Sequence, residues 1–161
     1  GFRRVLFRSH DTKLLPLVKN ILQANDIVAD SDDTLNKVIG LVKERCVLLS
    51  DFKEQTAYFF KAPVEHDLDS IKAKWNDAKN DFFQRFAQGC ETLTAWNSSS
   101  IESAFKALAE EMQIKPGELQ LPFRIMLVGG KFGPAVFEIA GQIGKEETVS
   151  RIHTVMNKLK Q

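Results

Sequence analysis

Residues 117–151 read GELQLPFRIMLVGGKFGPAVFEIAGQIGKEETVSR, and the reading of this stretch decides the fold class. Leu121 to Val128 is a short apolar run that periodicity alone leaves open between a buried strand and a buried helix. Pro122 suits the first position of a helix. Gly129-Gly130 suits a helix stop. A strand would need a partner, and no second convincing strand occurs in the sequence, so the run is expected to be helical. Gly133-Pro134 then opens another helix, which Gly144 ends. Lys145 to Lys160 forms a last amphipathic helix that buries Val149, Ile152, Val155, Met156 and Leu159. With this stretch helical, the chain reads as all-α, with about eight or nine helices joined by short loops.

The sequence before it agrees. Asp11 can cap a helix from Thr12 to Ala24, with Leu14, Leu15, Val18, Ile21 and Leu22 on one face. Asn25-Asp26 ends it, and Pro16 is tolerable only if the helix starts late. Asp32 or Asp33 caps a longer helix. Its stripe of Leu35, Val38, Ile39, Val42, Cys46 and Leu49 leaves Lys43, Glu44 and Arg45 facing solvent or a partner. Asp51 begins a short helix that ends in Tyr58-Phe59-Phe60. Pro63 is the best internal boundary, giving two packed helical subdomains, 10–62 and 63–161. Asp67 caps a helix with the stripe Leu68, Ile71, Trp75, Ala78, Phe82 and Phe86, ended by Gly89. Ser99 with Glu102 fits a capping box, followed by Ile101, Ala104, Phe105, Leu108, Ala109 and Met112.

Residues 1–9, GFRRVLFRS, carry three Arg and no acid. A basic targeting segment is one reading. Leu-Phe-Arg-Ser is also one translation of a common sequencing-adapter end, so the segment is read as non-native. Removing Arg3, Arg4 and Arg8 takes Lys+Arg from 22 to 19 against 21 Asp+Glu, and the net charge from +1 to −2. A nonspecific nucleic-acid binder works by phosphate neutralisation and should be clearly basic. Any RNA binding here must therefore use a local site that reads exposed bases.

The 161 residues are 43% hydrophobic and 27% charged, which fits a water-soluble domain. No apolar run approaches the ~20 residues of a membrane span. Cys46 and Cys90 make no C-x-x-C, so two thiols in a reducing compartment are expected instead of a disulfide. His10, His66 and His153 have no neighbours at ligand spacing, so no metal is expected. The chain contains no G-x-x-x-x-G-K-[ST], G-x-S-x-G or H-E-x-x-H. Gly129-Gly130-Lys131-Phe132-Gly133 could offer N–H groups to a phosphate, but a Gly-rich link between helices is more often a turn. Glu110-Glu111 and Glu146-Glu147 fit a solvated helix face better than paired acid–base chemistry. No catalytic residue is assigned.

The order Pro122-Phe123-Arg124, the loop ending Gly133-Pro134, Phe137-Glu138-Ile139 and Gly144-Lys145-Glu146 resembles the C-terminal end of bacterial glutamyl-tRNA synthetases. That family carries Pro-Leu-Arg, a Gly-containing loop ending Gly-Pro, Leu-Phe-Glu-Ile-Leu and Leu-Gly-Lys-Glu in the same order. The resemblance runs from near Asp11 to the end and implies an all-α anticodon-binding domain. It further implies tRNA-Glu as partner, a cytoplasmic protein and, as we expect, a monomer. The His-Ile-Gly-His and Lys-Met-Ser-Lys-Ser motifs that activate glutamate with ATP and Mg in the family are not in this sequence. No cofactor is thus expected on it, and it should be inactive alone.

Site residues follow from the same resemblance. Leu41-Val42-Lys43-Glu44-Arg45 with Leu48, Leu49 and Phe52 resembles the family's Lys/Arg-x-Arg helix end. Arg45 falls at the position associated with the third anticodon base, and Arg there marks the discriminating form that accepts C and rejects G. Cytosine offers acceptors, whereas a guanidinium only donates, so guanine's N–H edge is opposed. Arg124 matches the Arg that contacts the middle base; otherwise it would be a structural ion pair, for instance with Glu138. Lys106 aligns with a basic residue credited with the first base, although Lys for Arg is not conservative at a forked contact. Gly133 and Val136 match loop and helix-start contacts, with Gly133 replacing a commoner Thr or Ser. Phe132 could stack on a base, and Lys131 lies beside it. A helical protein-binding module is the alternative to RNA binding, and a self-sufficient helical enzyme is a third reading that the missing motifs oppose.

Overall fold

The structure is a computed structural model, and residues 13–160 of it are described. The Asp11 cap, the Thr12 start and the segment 1–9 lie outside the described residues. The chain divides after Lys61 into two units. Among the described residues there are nine α-helices, one short 3₁₀ turn and no β-strand.

The first unit holds α1 (Leu14–Ala24), α2 (Asp32–Val42) and α3 (Asp51–Phe60). α1 starts at Leu14, so Pro16 falls in its first turn, where a missing N–H is harmless. It buries Leu14, Val18 and Leu22. The cap of α2 is Ser31, whose Oγ accepts from the Thr34 N–H at 3.1 Å, and not Asp32 or Asp33. Those two acids fall in the first turn, where they complement the helix dipole.

α2 buries Leu35, Val38, Ile39 and Val42. It does not continue to Leu49. The chain tightens into the 3₁₀ turn Lys43–Arg45 and then extends at Cys46. The Asp51 carboxylate explains the stop, because it accepts the N–H groups of Val47 and Leu48, both at 2.9 Å. A side chain that takes these donors offers the backbone an alternative to another helical turn. Cys46 is still buried, at the end of the turn instead of on a helix. Burial pushes its thiol up to about 12, and Cys90 likewise, so neither is a reactive thiolate at neutral pH.

The second unit holds α4 (Asp69–Lys72), α5 (Asp77–Thr92), α6 (Ser98–Glu111), α7 (Pro116–Val128), α8 (Val136–Ile143) and α9 (Lys145–Leu159). The single helix expected from Asp67 to Gly89 is two helices. Asn76 is extended and its side chain accepts from the Lys79 N–H at 2.8 Å, which starts α5 afresh. Trp75, left in the break, stacks on Phe83 at 5.8 Å. Gly89 lies inside α5, which runs on to Thr92 because Cys90 is fully buried on the same face as Phe86. Asn97, not Ser99, caps α6, accepting from the Ser100 N–H at 2.8 Å. The core is aromatic, with Phe82, Phe83, Phe86, Phe105 and Phe123 all buried.

The run that opened the sequence reading is helical. α7 begins at Pro116, however, so Pro122 sits inside it. A proline in mid-helix costs about 3 kcal/mol. α7 sustains that by burying Leu119, Phe123 and the whole run Ile125–Val128. Trp96 Nε1 donates to Ala140 O at 3.0 Å and Lys145 Nζ donates to Leu93 O, so the α5–α6 connection is tied to α8 and α9.

The C-terminal end of α7 is held by two further contacts. The buried Arg151 of α9 donates from Nη1 to Leu127 O at 2.7 Å and from Nε to Glu147 at 2.9 Å. Asp67 N–H donates to Gly129 O at 2.9 Å, so residues 63–67 strap across the helix end. Lys158 fastens this strap by donating to Val64 O and lies 2.7 Å from His66 Nδ1. Burial first, then Lys158 and Arg151, hold His66 below its ordinary 6.5. A group protonated more readily when unfolded destabilises the fold as pH drops. His66 thus contributes stability above pH 6.5 that declines as pH falls below that value. Urea midpoints measured across that range should fall with pH, and His66→Asn should remove this part of the dependence.

Candidate nucleic-acid interface

The residues picked out from the sequence lie in both units. In the first, Arg45 closes the 3₁₀ turn between α2 and α3. Its side chain is exposed and has no hydrogen-bond or ion-pair partner among the described residues. Buried Val42 and Cys46 on either side, with the Asp51 carboxylate on Val47 and Leu48, fix the backbone beneath it. Arg45 is therefore a free guanidinium on an anchored turn, instead of a member of an exposed helix face.

In the second unit the α7–α8 loop is the focus. Gly129 and Gly133 have φ values of 90° and 103°, in the left-handed region that favours glycine. That backbone need accounts locally for a glycine at Gly133. Phe132 is half-buried, and its ring lies about 3.0 Å from where a Cβ on Gly130 would stand, so it folds over the loop's own backbone. Lys131 is exposed and acts on the Asp67 carboxylate. Ser70, which donates to Asp67 at 2.6 Å, is the main cause that holds that carboxyl below its ordinary range, and Lys131 adds to it.

Arg124 reaches under this loop. Its Nη1 lies 3.0 Å from Phe132 O, 3.0 Å from Gly133 O and 2.7 Å from Pro134 O. Arg124, Phe132 and Gly133 are thus brought together. Val136, the first residue of α8, is buried, so its side chain offers nothing to a base. Lys106 is exposed on α6, which packs against α8, and it is paired with Glu102 at 2.9 Å. A pair that exposed contributes little and opens easily to another anion. The carbonyl clamp of Arg124 was not foreseen from the sequence. The signal available was a lone Arg in an apolar helix followed by a Gly-Pro turn, whose proline supplies a carbonyl and no N–H.

Among the described residues no cluster of His, Cys, Asp or Glu could hold a metal, and no helix is long and apolar enough to cross a membrane. Each unit instead offers donors of its own: the first a guanidinium at Arg45, the second two exposed lysines and a glycine loop. These suit the acceptor atoms of unstacked bases and of phosphates.

Residues 13–156 match the family model described as an anticodon binding domain. The chain is 36% identical over 140 residues to a glutamate–tRNA ligase of Neisseria meningitidis, covering 87% of this chain and 30% of that protein. It is 31% identical over 154 residues to the glutamate–tRNA ligase of Flavobacterium johnsoniae, covering 96% and 30%. The crystal structure of a glutamate tRNA ligase from Elizabethkingia meningosepticum, in complex with its amino acid, superposes with a TM-score of 0.82. It is 33% identical and is covered over 91% of this chain and 29% of that one. The chain thus spans about 30% of the length of these curated relatives. The continuous match of nearly all described residues, on an all-α fold, places the chain in the anticodon-binding domain family found in glutamate–tRNA ligases.

Proposed function

We propose that this chain is the anticodon-recognition portion of a glutamate–tRNA ligase. It binds the tRNA-Glu anticodon loop so that a catalytic portion, which would bind ATP and Mg, attaches glutamate. The observation that carries the reading is the family match over residues 13–156 on about 30% of each ligase. Arg45 reads the third anticodon base by donating to cytosine acceptors and opposing guanine. Lys106 meets the first base or a neighbouring phosphate. The loop of Lys131, Phe132 and Gly133 and the start of α8 at Val136 take the remaining bases, over the Arg124 clamp. The domain raises the reaction rate by positioning tRNA, not by chemistry of its own, so the fragment alone attaches no glutamate. The test is titration of the chain with a tRNA-Glu anticodon stem-loop and with one of scrambled loop at the same salt. Tighter binding of the native loop supports the reading. Equal, weak binding of both would favour a protein-binding helical module.

A further inference from the structure

Arg124 carries an inference that goes beyond a base contact, and it rests on the anticodon reading above. One guanidinium nitrogen draws in three successive carbonyls, those of Phe132, Gly133 and Pro134, at 3.0, 3.0 and 2.7 Å. These peptides are trans. In a planar trans peptide the C=O and the following N–H point in opposite directions. Turning the Phe132 and Pro134 carbonyls toward Arg124 therefore turns the Gly133 and Ala135 N–H groups away from it. Pro134 has no N–H to place, so the Gly133 carbonyl is drawn in without moving a donor. Neither the Gly133 nor the Ala135 N–H has an acceptor among the described residues. The loop is sorted into an acceptor side facing a half-buried cation and a donor side facing away from it. The φ of 103° at Gly133 is the backbone condition for that turn.

We propose that Arg124 is a positioning residue for RNA binding: it clamps the 132–134 carbonyls so that the Gly133 and Ala135 N–H groups meet acceptor oxygens of the anticodon loop. The acceptors are phosphate oxygens or base carbonyls, which share this chemistry. A loop with its carbonyls released would present acceptors to acceptors and repel the same RNA. Lys is a poor replacement here, since its compact, strongly hydrated ammonium sits on a flexible stem and is not held in one plane beneath the loop as a guanidinium is.

The test uses the whole 161-residue chain, ¹⁵N-labelled, as wild type, Arg124→Lys and Arg124→Met, at temperatures where melting curves show each folded. Arg124→Lys keeps the charge, so the test survives if Arg124→Met does not fold. The RNA is the tRNA-Glu anticodon stem-loop, the same stem-loop with its middle base replaced, and versions with neutral methylphosphonate linkages or with bases lacking a carbonyl. We expect the Gly133 and Ala135 amide signals to shift on titration of wild type and to stay put in the variants. Affinity should fall about tenfold in Arg124→Lys, which corresponds to about 1.4 kcal/mol. The same factor should appear with either middle base. Loss of the difference with neutral linkages assigns the acceptors to phosphate, and loss with carbonyl-free bases assigns them to the bases. A loss that depends on the middle base would overturn the proposal in favour of direct reading, and unchanged affinity would overturn it outright. If wild type bound native and scrambled loops alike, the functional reading would fail and take this inference with it.

Discussion

Phe105→Ala should lower stability by about 4 kcal/mol, the upper range for deleting a buried aromatic side chain. Phe105 is fully buried. Its ring lies 5.0 Å from Phe82, 5.1 Å from Phe86, 5.4 Å from Phe123 and 5.2 Å from Phe137. The contacts with Phe82, Phe86 and Phe137 are edge-to-face, the arrangement that aromatic quadrupoles favour. These partner rings come from α5, α7 and α8, so truncation of the α6 side chain removes contacts with all three helices at once. Rigid neighbours on all sides limit collapse into the void, and a residual cavity adds to the lost transfer energy. Urea unfolding should show a lower midpoint at unchanged m. Phe105→Leu, which keeps much of the volume, should lose clearly less. A loss under about 1 kcal/mol in Phe105→Ala would mean that the cluster repacks and that Phe105 is not its centre.

Gly129→Ala is the second large effect, expected at about 3 kcal/mol. Two costs combine. The φ of 90° puts an L side chain in the left-handed region, which costs about 1–2 kcal/mol. The added Cβ would also stand 2.6 Å from Glu65 O and 3.0 Å from Pro63 Cβ. Both belong to the strap that Asp67 ties to Gly129 O, so the backbone must move and not just a side-chain tip. Gly89→Ala supplies the control. Gly89 lies within α5 with nothing near its missing Cβ, so alanine there should add up to about 1 kcal/mol. Equal effects at the two positions would contradict the strap's geometry.

Helix faces were readable in the sequence because a 3.6-residue stripe of large apolar residues has few other uses. Leu35, Val38, Ile39 and Val42 and the run after Pro122 are buried on helices as expected. The breaks were harder, because single side chains reaching back decide them. Asp51 stops the segment after α2, Asn76 splits α4 from α5, and Asn97 replaces Ser99 as a cap. Each competes with continued helix by about a kcal/mol, a margin below what periodicity resolves. Pro122 misled for a related reason, since burial of α7 outweighs an internal proline. At the interface, the free state of Arg45 follows from its place off the apolar stripe. The Arg124 clamp does not, because backbone carbonyls leave no mark in sequence and only the folded loop brings three of them to one nitrogen.

The central claim is that this chain reads an anticodon, with Arg45 as the discriminator. The most direct measurement is the affinity for a tRNA-Glu anticodon stem-loop with C or G at the third anticodon position, at one salt concentration, for wild type and Arg45→Gln. The account predicts a preference for C of at least about 1 kcal/mol in wild type, the scale of one mismatched base contact, and its loss in Arg45→Gln. Equal affinity of wild type for both loops, or a preference that survives Arg45→Gln, would contradict it.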